Sequence, residues 1–85
     1  MNQAIQFPDR EVWDEERQAI RFPALVQGFQ VECAISSLAI ASRFGGNDAE
    51  AWLSLFREYR WDLEEEAEGL IESDQEGDQG WYWLS

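Results

Sequence analysis

Glu64, Glu65, Glu66 and Glu68 fall within little more than one helical turn and form the densest group of potentially reactive side chains in the sequence. Carboxylates held this close can share general acid–base work when one is desolvated and its proton affinity raised. The apolar stripe of the same segment, however, runs through Leu63, Ala67 and Leu70, which puts most of these acids on the wet side of a helix. There they keep ordinary acidity and make poor catalysts, and near a helix start they suit the dipole. A solvated face is the expectation.

Other routes to chemistry are closed by residue type. The chain has no histidine, so neither a Ser-His-Asp nor a Cys-His arrangement can be built. Ser36, Ser37, Ser42 and Ser54 have no lysine to activate them, because all six basic residues are arginine. No phosphate-binding glycine pattern is present, and Gly45-Gly46 reads as a helix stop. Cys33, the single cysteine, alternates with Val31 and Ile35 on the apolar side of a strand, where a free thiol behaves as a small inert hydrophobe. Glu72, Asp74, Glu76 and Gly77 imitate the first half of a calcium loop, but Trp83 stands where the bidentate glutamate is required. No metal or cofactor is expected.

The aromatic residues are the more informative candidates. In a domain of 85 residues the first expectation for any tryptophan is core filling. Alternation nevertheless sends Trp81 and Trp83 to one side of a terminal strand and Tyr82 and Leu84 to the other, so both pairs are buried only if both faces are covered. With one face open, the aromatics beside an acidic loop make an interaction patch. The candidate surface is Trp61, Trp81 and Trp83 as anchors, with Asp62, Glu65, Asp74, Glu76 and Asp78 steering a basic partner. Arg57, one turn before Trp61, is placed to stack on it.

The elements that position these residues follow from periodicity. Ala4–Phe7, Val12–Asp14, Gln18–Leu25 and Phe29–Ile35 alternate as strands, with turns at Glu15-Glu16-Arg17 and Gln27-Gly28. Pro23 cannot donate to a ladder, which requires a bulge or an edge near it. The period then changes. Ser36-Ser37 caps a helix over Leu38–Phe44, and Asn47 with Glu50 has the spacing of a capping box. Trp52, Phe56, Tyr59, Leu63, Ala67 and Leu70 form one helical stripe, and Asp62 with Glu65 favours a break near Arg60–Asp62 that divides residues 48–73 into two helices. After the polar loop Glu72–Gly80, Trp81–Leu84 returns as a strand. The fold class is α+β in a single domain over residues 1–85: a small antiparallel sheet of about four strands, the C-terminal strand included, packed against two or three helices.

Charge restricts the partners. Eighteen acids face six arginines, a net charge of −12, and the imbalance is concentrated in residues 44–85, where twelve acids face two arginines. Nucleic acid and anionic lipid both require a basic surface that this chain lacks, so a role in nucleic-acid regulation would have to be that of an acidic decoy. A polyanion steers basic partners towards itself. No apolar run approaches a membrane span, Met1-Asn2-Gln3-Ala4 lacks the basic and apolar regions of a signal peptide, and a lone cysteine fits a reducing compartment; a cytoplasmic location is expected.

Met1-Asn2-Gln3-Ala4-Ile5-Gln6-Phe7-Pro8-Asp9-Arg10-Glu11, Phe22-Pro23-Ala24-Leu25-Val26, Cys33-Ala34-Ile35-Ser36, Arg60-Trp61-Asp62-Leu63-Glu64-Glu65-Glu66-Ala67-Glu68 and Asp78-Gln79-Gly80-Trp81 closely resemble the YrdB-like small bacterial proteins, a domain-of-unknown-function family. The resemblance covers essentially the whole chain. It implies a cytosolic bacterial protein with an α+β fold, and it implies no activity and no site residues. The functional expectation is therefore a non-enzymatic protein-interaction or accessory module with a basic protein partner. The alternative is a small-molecule-binding or carboxylate-based enzyme, which requires a concave pocket holding at least two perturbed carboxylates.

Overall fold

Period-two alternation between residues 5 and 36 and a 3.6-residue period beyond it divide the chain into a sheet and a helical layer. The structure, a computed structural model, describes residues 5–77 and 80–85. Its strands are β1 (Ile5–Gln6), β2 (Val12–Asp14), β3 (Ala19–Val26), β4 (Phe29–Ser36) and β5 (Tyr82–Leu84), and its helices are α1 (Ser37–Phe44), α2 (Ala49–Glu58) and α3 (Arg60–Glu72). Ala4, expected to begin the first strand, and Asp78, expected on the interaction surface, lie outside the described residues.

The centre of the sheet is the β3–β4 hairpin, in register from Ala19↔Ser36 to Val26↔Phe29. Gln27 and Gly28 both have positive φ, as the two central residues of a type I′ turn require. The register contains no bulge at Pro23. Counting from the closing Val26–Phe29 pair, position 23 directs its missing N–H away from β4. On that side β1 pairs with Leu25 and Val26, and β2 pairs with Ala19–Arg21, so the proline sits in the gap between two short edge strands. The edge expectation holds and the bulge is not needed.

β5 pairs with β4 in parallel, Cys33↔Tyr82 to Ile35↔Leu84, so the sheet is mixed rather than wholly antiparallel and has five strands rather than about four. Alternation reports which face a side chain takes and is silent on strand direction. Parallel neighbours need a long crossover, and the three helices supply it.

Ser36 caps α1 by accepting from Ala39 N–H at 3.1 Å, and Gly45, at φ 97°, ends the helix by donating to Ala41. Asp48, not Asn47, caps α2, accepting from Ala51 N–H at 2.9 Å. The long segment is indeed two helices, and the break falls at Tyr59, just before Arg60–Asp62. Tyr59 N–H closes α2 by donating to Leu55, and its carbonyl opens α3 by accepting from Leu63, so one residue serves as the last cap of one helix and the first of the next. Ile20, Phe22, Cys33 and Ile35 from the sheet meet Ile40, Phe56 and Leu63 from the helices, all fully buried, with Phe22 and Phe56 rings 4.9 Å apart. Among the described residues no helix is long and apolar enough to cross a membrane.

Candidate functional site

The first turns of α3 share with Ile5 of the outer strand β1 and Phe7 just after it a groove of about 400 Å³. Ile5 and Phe7 supply its apolar side, and Trp61, Asp62, Glu64, Glu65 and Glu68 line it from the helix. Trp61, Glu64, Glu65 and Glu68 follow the i, i+3, i+4, i+7 spacing that brings helical side chains to one face. The apolar stripe through Leu63 and Ala67 faces the core, so this acidic face is turned away from it. Trp61 stands at the start of the helix and is 86% exposed.

The first turn of α3 is fixed by charges that come from far away in sequence. Glu11, in the loop between β1 and β2, accepts hydrogen bonds from Arg57 Nε at 2.7 Å and from Arg60. Arg60 also pairs with Glu64 at 3.3 Å and with Asp9 at 3.5 Å. The Glu11 side chain is only 9% exposed. Its burial favours the neutral acid, but the two guanidinium hydrogen bonds outweigh that and bring its pKa down to about 2. Glu64 moves the other way. Burial raises its proton affinity, the bond from Arg60 does not fully offset this, and the nearby Asp9 and Glu11 charges raise it further.

Arg57 is engaged by Glu11 rather than stacked on Trp61 as its spacing suggests. Among the described residues no arginine reaches Asp62, Glu65 or Glu68. The three lining glutamates and the aspartate were visible in the sequence as a charge run. Ile5, Phe7 and the role of Glu11 were not, because only the topology carries them to α3.

Trp81, Trp83, Asp74 and Glu76 belong elsewhere. β1 and β5 are at opposite ends of the strand order, so the expected single surface is two regions. Tyr82 and Leu84 are buried under the helices, whereas Trp81 and Trp83 lie on the other sheet face, their rings stacked at 5.8 Å. That face is closed by the chain's own side chains. Arg17 and Arg21 place their guanidinium groups 4.8 and 5.0 Å from the Trp81 ring, and Asp14 pairs with both arginines. Ala34, in register beside Trp83, is fully buried. Gly77 N–H donates to the Trp81 carbonyl at 2.8 Å, and a Cβ at Gly77 would meet Trp83 Cδ1 at 3.2 Å, so the chain just after Asp74 and Glu76 folds back on this pair. The aromatic slot at this site is already filled.

Cys33 is fully buried, and desolvation lifts its thiol pKa to about 12. Among the described residues no group of three or more acids, cysteines or histidines is placed to hold a metal ion. Trp83, at the position a calcium loop reserves for glutamate, is a strand residue stacked on its neighbour.

Comparison with known proteins assigns the fold to a family. The model of the family described as "Protein of unknown function (DUF1488)" matches residues 5–84. The chain is 62% identical over 84 residues to the uncharacterized protein YrdB of Escherichia coli K12, covering 99% of each, and 61% identical to YrdB of Shigella flexneri with the same coverage. It is similar to the crystal structure of a DUF1488-family protein of unknown function from Shewanella loihica PV-4, with a TM-score of 0.90, 37% identity, and coverage of 99% of this chain and 94% of that one. The chain belongs to the DUF1488 family.

Proposed function

We propose that this chain is a non-enzymatic interaction module that receives a basic segment of a partner protein in the groove between β1 and α3. The observation that carries the reading is Trp61, 86% exposed at a groove lined by Ile5 and Phe7 on one side and by carboxylates on the other. A large aromatic ring beside an apolar floor offers an anchor, and the acidic rim selects for positive charge and speeds encounter. The −10 balance of residues 44–85 extends that attraction beyond the groove. Asp74 and Glu76 add to the long-range field, while Trp81 and Trp83 serve the sheet.

A small-molecule-binding or carboxylate-based enzyme is the second reading, favoured by the raised proton affinity of Glu64 inside the same groove. General acid–base work needs a second carboxylate whose affinity is pushed apart from the first at the same point. Glu11, the acid with the large shift, is lowered rather than raised, and both its oxygens are taken by arginines.

Calorimetric titration with a lysine- and arginine-rich peptide tests the leading reading. Binding should weaken from low to moderate salt as the charges are screened. Trp61→Ala should lose about tenfold in affinity, as expected for an anchoring aromatic. Glu65→Gln with Glu68→Gln should weaken binding more than Glu50→Gln with Glu58→Gln, which removes the same charge elsewhere. Equal losses in the two charge pairs, or an unaffected Trp61→Ala, would show that only net charge is at work.

A further inference from the structure

The distribution of charge along the groove says more about its occupant than the sign does. Asp62, Glu65 and Glu68 are three residues apart, so each step rises about 4.5 Å along α3 and the row extends about 9 Å. The carboxylates do not converge, and among the described residues no set of them is placed to grip a single ion. An occupant that meets them all must carry its positive charges along a line.

The row is also poorly satisfied at home. Glu64 is held by Arg60, whereas no ion pair reaches Asp62, Glu65 or Glu68 among the described residues. Like charges at i, i+3 and i, i+4 repel across one helical turn and weaken the helix that carries them. Cations spaced by one turn would remove that repulsion. Beside the row lie Ile5 and Phe7, with Trp61 at its N-terminal end. At about 400 Å³ the groove is at the lower end of ligand pockets, with room for a few side chains.

A strand repeats its same-face side chains about every 6.8 Å and places the opposite set away from the groove. A helix repeats at the pitch of the carboxylate row and presents an apolar stripe directly beside a charged one. Building on the proposed basic-partner reading, we infer that the occupant is one face of a basic amphipathic helix of a partner protein. Arginines or lysines at one-turn intervals lie over Asp62, Glu65 and Glu68, and an apolar anchor seats on Ile5 and Phe7 against Trp61, the helix-in-groove mode of recognition.

Two synthetic peptides of roughly 18 residues, long enough to fold as a helix on binding, decide it. They share one composition of leucine, alanine, lysine and arginine; one is arranged with helical period and the other with period two. Spermine serves as a small polycation. The helical-period peptide should bind about tenfold tighter than its isomer, gain helical circular dichroism on binding, and lose most of its advantage on Glu65→Gln with Glu68→Gln. Equal affinity of the isomers, or tighter binding of the period-two peptide, overturns the helix and leaves the basic-partner reading standing. Failure of both peptides overturns both readings. Spermine binding as tightly as the helical peptide overturns the helix in favour of a small polyamine.

Discussion

Glu11→Gln keeps the shape of the side chain that ties the β1–β2 loop to α2 and α3 and removes its charge. The native carboxyl group has its pKa lowered from 4.5 to about 2. At about 1.4 kcal/mol per unit, that shift corresponds to an upper bound of roughly 3.5 kcal/mol favouring the ionised form in the fold. One of its two partners, Arg57, is more than half exposed and solvated, which reduces the expected loss to about 2 kcal/mol. In a domain of this size that is a fall in melting temperature of roughly 10 °C. Because the folded pKa lies below the unfolded one, the contribution is fully present above pH 4.5 and disappears as pH falls through about 2. Urea denaturation of both proteins, followed by circular dichroism at pH 7 and at steps between pH 4.5 and 2, should therefore show curves that are separated at neutral pH and converge in acid. A separation below about 0.5 kcal/mol at pH 7, the range of an ordinary surface change, or one that stays constant into acid, would refute the ionic account.

Three further outcomes rest on different parts of the molecule. Gly46→Ala should destabilise by about 1–3 kcal/mol. The backbone there has φ +96°, and the new Cβ would meet Trp52 Cδ1 at 2.8 Å, so an unchanged melting temperature would contradict the packing. Cys33 should react with iodoacetamide only at the rate of opening of the fold, because burial both shields it and holds its pKa near 12. Labelling under native conditions at the rate of a free thiol would overturn that. Sodium chloride at about 0.5 M should raise the melting temperature by screening the repulsion of a −12 chain, less so in Glu65→Gln. A melting temperature that falls with salt would mean that the ion pairs around Arg60 outweigh the repulsion.

Local pattern made the elements legible. The alternation of Ile20, Phe22 and Ala24 with Arg21, and of Cys33 and Ile35 with Glu32, named the buried face of the sheet correctly. The glycine stop and serine cap framed α1, and the helical stripe found Phe56, Leu63 and Ala67. The cap of α2 slipped by a residue because Asn47 and Asp48 are chemically equivalent candidates and only the backbone chooses between them. Asp62, expected to cap α3, lies within its first turn, and the helix starts from Tyr59 with no side-chain cap. The direction of β5 was not legible because strand pairing across a three-helix crossover leaves no local trace. The candidate site was half legible: Trp61, Asp62 and Glu65 stood out as an aromatic beside a charge run. Glu11 did not, since its partners are 46 and 49 residues distant.

The five tryptophans distinguish what the fold uses from what it leaves over. Trp13 and Trp52 pack at 5.6 Å, and Trp81 and Trp83 stack at 5.8 Å, so four rings are employed in pairs. Trp61 is 86% exposed. Burying a ring of this size contributes several kcal/mol at about 25 cal/mol per Å², and a domain of 85 residues has little other apolar surface with which to replace that gain. At position 61 the fold obtains almost none of it, and a polar helix former would serve α3 better. The neighbouring residue is treated in the opposite way: Arg60 is held by Asp9, Glu11 and Glu64, three carboxylates that fix the first turn of the helix. An unused ring on a rigidly held backbone is the arrangement that lowers the entropic cost of recognition. The ion-pair network therefore acts on the groove by holding still the turn from which Trp61 projects, although Glu11 itself lines no part of it.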